Sequence, residues 1–316
     1  MAAAITPNVR LSSLPAASGR AGLRGAISSE LTKLRSVRST YWTLGALFVV
    51  SVGLSVAICA GGAGSISSNP GNKAGFDATF TSLAVFFELG QLIIGVIGAM
   101  VITSEYSTGM IRTSLSAQPR RGVVYGAKTL SFGAVALVIS VVTAFVAFFA
   151  GQAMLSGKGV AGSLFHTVTI PANANETCRP GPNGGPACTA QFFGHDVITS
   201  STVLTAVLGT ALFVTLAALI AYGVGAMVRH TAGAIGIVVA LMFVIPILAN
   251  VLPSQWHDDI VRFLPSSANM DIATTVRAGS GNIAHLWSAW PQLGVTALWA
   301  IVLVAVGAYL FRKRDA

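Results

Sequence analysis

Six apolar runs dominate the chain, at roughly 42–63, 83–103, 123–151, 197–228, 231–252 and 292–311. A helix needs about 20 residues to cross the hydrocarbon core of a bilayer, and every run is that long or longer. In lipid the backbone must satisfy its own hydrogen bonds, so such runs read as helices. Composition agrees. The 316 residues are 53% hydrophobic and 9% charged, against about 25% charged in soluble domains. The sequence therefore predicts an all-α integral membrane fold with six transmembrane helices. Residues 23–316 form one membrane domain, and residues 1–22, rich in Ala, Ser, Gly and Pro, read as a flexible cytoplasmic tail. No signal-peptide apolar core precedes the first run.

The third and fourth runs exceed the length a crossing needs, which predicts tilt or projection beyond the membrane. Arg229-His230 is the only polar break between the fourth and fifth runs, so these two form a tight helical hairpin. Basic residues set the orientation. One side holds Arg10, Arg20, Arg24, Lys33, Arg35, Arg38, Arg112, Arg120, Arg121, Lys128, Arg229, Arg312, Lys313 and Arg314, which is 14 of the 19 Lys and Arg. That side is assigned to the cytoplasm, with both termini, and the expected location is the cell membrane. The net charge of +9 then serves topology and lipid headgroups, not nucleic acid.

Three connections fall outside, near 64–82, 152–196 and 253–291. The first is loop-like. The second, with Pro171, Pro180, Pro182 and Pro186, is expected to be irregular. The third carries Trp256, Phe263, Leu264, Ile272, Trp287 and Trp290, which predicts short helices at the outer leaflet. Cys178 and Cys188 lie in the second connection, ten positions apart, where a disulfide is expected. Cys59, in the first apolar run, reads as an inert core thiol.

Signs of chemistry within the chain are few. Gly122 to Thr129 approaches a phosphate-binding loop, but Ala127 replaces the second glycine and no strand precedes it. Lys128 is read instead as an anchor at the inner headgroups. The five histidines lack metal-site spacing, and His257-Asp258-Asp259 reads as a solvated turn. No metal, catalytic residue or cofactor is assigned. Glu88, with Gln91 one turn on, is an acid inside the second run. It lies about 16 residues from the cytoplasmic end, roughly 24 Å at 1.5 Å per residue, which places it near the outer interface.

Two segments on the basic side carry more signal. Leu23, Ile27, Leu31, Leu34, Val37 and Tyr41 form one helical apolar stripe flanked by Lys33, Arg35 and Arg38. Such a helix lies in the membrane interface, stripe down, and turns at Ser39-Thr40 into the first span. Thr103 to Arg121 is too polar to cross the membrane. Tyr106, Met110, Ile111 and Leu115 are read as one face of a short helix ended by Pro119. Apolar groups on such a loop suggest docking onto another protein.

Glu30-x-x-Lys33-Leu34-Arg35-Ser36-x-Arg38-Ser39-Thr40-x-Trp42 resembles the start of actinobacterial type-2 ABC transporter permeases. Thr103-Ser-Glu-Tyr106 through Thr108-Gly-Met-Ile-Arg-Thr-Ser-Leu115 resembles the first cytoplasmic loop of that family. Phe263-Leu-Pro-Ser-Ser-Ala268 is similar to its stretch before the last helix. The long Cys-containing loop is less typical of the family. The resemblance implies a permease subunit without its own ATPase site, in an ABC exporter. A separate ATP-binding subunit would carry ATP and Mg. A second permease, identical or paralogous, would complete the pair. It implies a connecting helix with Glu30, Lys33, Arg35 and Arg38. It also implies a coupling helix between the hairpin of helices 1 and 2 and helix 3, with Glu105, Tyr106, Met110, Ile111 and Arg112 contacting the ATPase. The second run, with Glu88, Gln91 and Gly95, would line the path of a hydrophobic drug, natural product or lipid, moved outward by alternating access. Gly90, Gly95 and Gly98 would let helices approach closely. Two rivals stand beside this reading. One is a secondary transporter or channel, which the lack of an internal repeat disfavours. The other is a membrane scaffold or sensor, for which the 152–196 loop is the best support.

Overall fold

The computed structural model describes residues 22–36, 38–69, 76–117, 119–165, 168–170, 178–180, 186–188, 196–249, 251–266, 272–275 and 289–313. The expected tail and Trp287 lie outside them. Among the described residues, six helices are long and apolar enough to cross a membrane: Tyr41–Ser68, Ala78–Ser107, Arg121–Leu155, Ser200–Val228, Thr231–Ala249 and Trp290–Lys313.

A helix α1 (Leu23–Ser36) comes first, followed by α2 (Arg38–Ser68), which contains the first span. Ser39-Thr40, where a turn was expected, are helical within α2. The second span is α3 (Ala78–Ser107), and the short α4 (Met110–Ala117) follows it. The third span, α5 (Arg121–Leu155), has 35 residues and is about 52 Å long at 1.5 Å per residue, so it projects well past the hydrocarbon core.

The 152–196 connection is more ordered in part than its Pro and Gly content suggested. Short strands β1 (Val168–Ile170) and β4 (Asp196–Ile198) pair antiparallel, as do β2 (Cys178–Pro180) and β3 (Pro186–Cys188). The fourth span is α6 (Ser200–Val228). The fifth runs through α7 (Thr231–Val239), a π-helical segment at Ala240–Val244, and α8 (Ile245–Ala249). Pro246 accounts for the π segment. Its missing N–H and its ring cannot fit the regular ladder, and widening one turn absorbs the conflict. A short α9 (Ser254–Val261) precedes the last span, α10 (Ala289–Lys313). Trp256 on α9 is exposed and Trp299 Nε1 donates to Phe263 O at 2.9 Å. That fits an interfacial helix beside the sixth span.

The centre of the bundle is α3 against α6. Both are mostly buried, whereas the first, fifth and sixth spans expose most of their length. Glycine makes this possible. A Cβ on Gly98 would sit 2.5 Å from Ala218 O, and one on Gly225 would sit 2.9 Å from Ala99 O. Only a missing side chain lets the two backbones come so close. The expected close approach therefore holds for Gly98.

At the end of the bundle away from α1, small polar groups pin α2, α3 and α5 together. Ser55 Oγ donates to Ser82 O at 2.5 Å, and Gln152 Nε2 donates to Ser82 Oγ at 3.3 Å. Cys59 is fully buried beside Ser82, as a core thiol should be. Asp77 caps α3 by accepting from Phe80 N at 2.8 Å. Its carboxylate also accepts from Thr275 Oγ1 at 2.8 Å, tying the segment before α10 to the second span.

Candidate functional site

The densest polar cluster lies where α1 meets the ends of α3 and α5. Glu30 is the buried polar residue of α1, and helical spacing puts it on the same side as Ile27 and Leu34. Glu105 ends α3, two residues before its last residue, Ser107. Lys128 lies two turns inside α5, beyond the Arg120-Arg121 pair where that helix begins. Lys128 Nζ donates to Glu30 Oε2 and to Glu105 Oε1, both at 2.7 Å. Lys33 Nζ donates to Glu30 Oε1 at 2.9 Å and lies 3.4 Å from Glu105 Oε1. It also donates to Ser114 Oγ on α4 at 3.1 Å.

Two carboxylates and two ammonium groups thus join four helices with no net charge. Glu30, Glu105 and Lys128 are 5–6% exposed, so the pairs replace water almost entirely. Such burial is tolerated only when each charge is paired and hydrogen-bonded. Glu105 Oε2 is buried without a hydrogen-bond partner among the described residues. Burial pushes the Glu30 carboxyl up, but Lys128 and Lys33 outweigh it and hold it below the usual carboxylate range. Burial likewise pulls the Lys33 ammonium down, and Glu30 and Glu105 more than reverse this, so its affinity for the proton is raised.

The assignment of Lys128 to the headgroups is therefore corrected. Its side chain reaches two acids inside the protein because α1 covers it. The apolar stripe of α1 is corrected too: α1 packs chiefly against α5, with Ile27, Leu31 and Leu34 half-buried, instead of lying stripe-down on lipid. Arg35 is exposed, and the side chain of Arg38 lies outside the described residues.

The α4 residues divide into two sets. Gly109, at φ +71°, turns the chain between α3 and α4. Ile111 is buried and Leu115, one turn on, packs beside it in the core. Met110 and Arg112 face outward. The single face expected for Tyr106, Met110, Ile111 and Leu115 is thus split, with Met110 on the other side. Glu105 and Ile111 point into the bundle, so in this conformation they are not available for direct contact with a partner.

Tyr106 is half-buried at a second junction. The Arg229 guanidinium lies 4.7 Å from its ring centroid, and the Phe311 ring meets it edge-on at 6.5 Å. Arg229 is the left-handed C-cap of α6, at φ 60°, and its N–H bonds Gly225 O at 2.9 Å. That cap makes the tight turn into α7 that the sequence predicted. Tyr125 OH donates to Val304 O at 3.0 Å, and its ring lies 5.4 Å from Phe311 and from Tyr222. The end of α3, just before the loop helix, is therefore linked to the last span and to the end of the fourth, and the third span is tied to both. Sequence reading missed Ser114, Tyr125, the Arg229–Tyr106 stack and the partners of Lys128.

The residues expected to line a path are placed differently. Gln91 and Gly95 are buried within the chain, and Gly95 faces Val238 and Ala221. They pack α3 against its neighbours because that helix occupies the centre of the bundle. Glu88 is half-buried on the same helix. Cys178 and Cys188 stand directly opposite one another in the β2–β3 register.

A six-span membrane protein, with a buried ionic junction joining its N-terminal helix to a short helix between the second and third spans, is the class these observations define. Residues 63–309 match the family described as ABC-2 family transporter protein, and the chain belongs to that family. It is thus the membrane-spanning permease subunit of an ABC transporter. The match takes in Glu105, Lys128 and α4, whereas α1 precedes it. None of the curated proteins compared with the chain matches it.

Proposed function

We propose that the chain is the permease of an ATP-driven exporter, powered by a separate ATP-binding subunit that docks on α4. Two permeases, identical or paralogous, would pair around the path of a hydrophobic drug, natural product or lipid. The bundle end carrying α1, α4, Arg229 and Arg312 would face the cytoplasm, with both termini, in the cell membrane. ATP and Mg would bind the partner subunit. The likeness of Glu30 to Trp42 to actinobacterial permeases supports the same reading.

One observation carries it. The α4 helix is exposed on one face, at Met110 and Arg112, and anchored on the other through Ile111, Leu115 and the Lys33–Ser114 bond. A push on the exposed face would reach α1, α3 and α5 together through four paired charges. In this reading Met110 and Arg112 contact the partner. Glu105, Tyr106 and Ile111 transmit its movement, and Glu30 and Lys33 hold the connecting helix in register.

The test is to express the chain with its neighbouring genes, purify it in mild detergent and identify what comes with it. A soluble subunit with an intact phosphate-binding loop is expected in fixed proportion. It should be lost when Met110→Asp and Arg112→Glu are combined. A chain that purifies alone and is indifferent to ATP would overturn the proposal.

A further inference from the structure

One face of α1 remains unused by the ionic junction. Glu30 and Lys33 turn inward, but Arg24, Ser28, Thr32 and Arg35 are exposed and, with the half-buried Ile27 and Leu31, line an open groove along the helix. The spacing explains why they share a face. Arg24 and Arg35 are eleven positions apart. That is about three helical turns, roughly 16 Å, with an offset of only about 20°. Ser28 and Thr32 fill the intervening turns at i+4 and i+8. Neither arginine makes an ion pair among the described residues.

The groove also sits at a definite height. The first span begins at Tyr41, five residues after α1 ends at Ser36. Tyr41 and Trp42 are exposed at 59% and 80%, as aromatic residues at a membrane–water boundary are. A helix at that height that presents two guanidinium groups and the Ser28 hydroxyl beside apolar side chains matches one ligand chemistry. Phosphate takes the guanidinium and Ser28 hydroxyl donors, and an acyl chain lies along only those edges of Ile27 and Leu31 that packing against α5 leaves open.

We propose that this groove is a binding site for anionic phospholipid, with Arg24 and Arg35 each seating a headgroup phosphate. Lipid held there would brace α1 from its outer side while Lys128 and Lys33 hold its inner side. The site stands independently of the exporter reading, since it needs neither ATP nor a second subunit.

The test uses the full chain in nanodiscs of mixed phosphatidylglycerol and phosphatidylcholine, with retained lipid measured by native mass spectrometry on ejection. The unaltered chain should retain phosphatidylglycerol in excess over its share of the bilayer. Arg24→Gln with Arg35→Gln should lower that preference on the order of 25-fold, fivefold for each arginine. Arg24→Lys with Arg35→Lys should keep most of it, which separates lost charge from a damaged helix. Lys158→Gln with Arg262→Gln, outside α1, should leave it unchanged. An unaltered preference in the Gln pair overturns the site. So does a Gln pair that keeps its phosphatidylglycerol but fails to hold the soluble ATP-binding subunit, because the groove would then be a protein contact.

Discussion

Lys128 on the third span lies 2.7 Å from Glu105 at the end of the second, and both are almost wholly buried. The same ammonium group reaches Glu30 on α1 at 2.7 Å. Replacing Lys128 with Ala leaves two buried acids with only Lys33 between them. Removing one partner of a buried pair costs about 3–5 kcal/mol. The variant should therefore unfold at markedly lower denaturant or temperature in detergent. Adding Glu30→Gln and Glu105→Gln should recover much of the loss, because the buried acids are then neutral and the one charge left, on the partly exposed Lys33, can reach water. A triple variant as unstable as Lys128→Ala would show that packing, not charge, holds the junction.

The junction should hold across neutral pH and loosen at both extremes. The folded-state affinity of Glu30 for the proton is depressed, so its stabilisation is present above the usual carboxylate range and is lost as pH falls through its lowered value. Lys33 is raised, so its share is present below the usual lysine range and is lost as pH rises through its higher value. Hydrogen exchange of the α1 amides should be slow and pH-independent, after correction for intrinsic rates, between those limits. It should rise at the acid end. Glu30→Gln should remove the acid-side rise.

Opposite faces of α4 should separate docking from folding. Arg112→Glu alters an exposed side chain, so its effect on stability should stay within about 0.5 kcal/mol. Binding of the ATP-binding subunit should fall at least tenfold, as measured by co-purification. Ile111→Asp buries an unpaired charge and should lower stability as well as binding. Equal losses of stability in the two variants would refute the division.

The outer loop offers a covalent test. Cys178 and Cys188 face each other across an antiparallel pair, a placement whose Cα separation, about 4.5–5.5 Å in such ladders, lies in the range a disulfide spans. Chain purified without reductant should yield a peptide pair joined through these two residues on digestion. Cys59, buried and remote from both in sequence, should remain a thiol. Full alkylation of Cys178 and Cys188 before reduction would rule the bridge out.

The sequence made the spans legible because apolar length depends on local composition alone, and each span lies within a few residues of its expected limits. The sharp turn at Arg229 was legible for the same reason. Long-range pairing was not. A lysine opening an apolar run looks the same whether it snorkels to headgroups or meets acids on a covering helix. One clue was present: Lys128 lies two turns deeper than Arg120-Arg121, past the depth an anchor needs. The inward turn of Ile111 and Glu105 was likewise hidden, since periodicity defines a face but not what covers it. For Gln91 and Gly95, a membrane helix gives no sign in its own sequence of whether it lines a path or sits in the middle of the bundle.

Glu30 and Lys128 are 98 residues apart in the chain. During synthesis at about 5–20 residues per second, Glu30 emerges roughly 5–20 s before the lysine that neutralises it. Through that interval α1 has no seat, because its binding surface is on a span not yet made. The N-terminal helix must wait in water or at the lipid surface while two spans are inserted ahead of its partner. Closing the junction then reports that the first two spans have both crossed and that the third has packed beside them. A chain in which one of those two spans failed to cross would leave Glu30 on one side of the bilayer and Lys128 on the other, each without its partner.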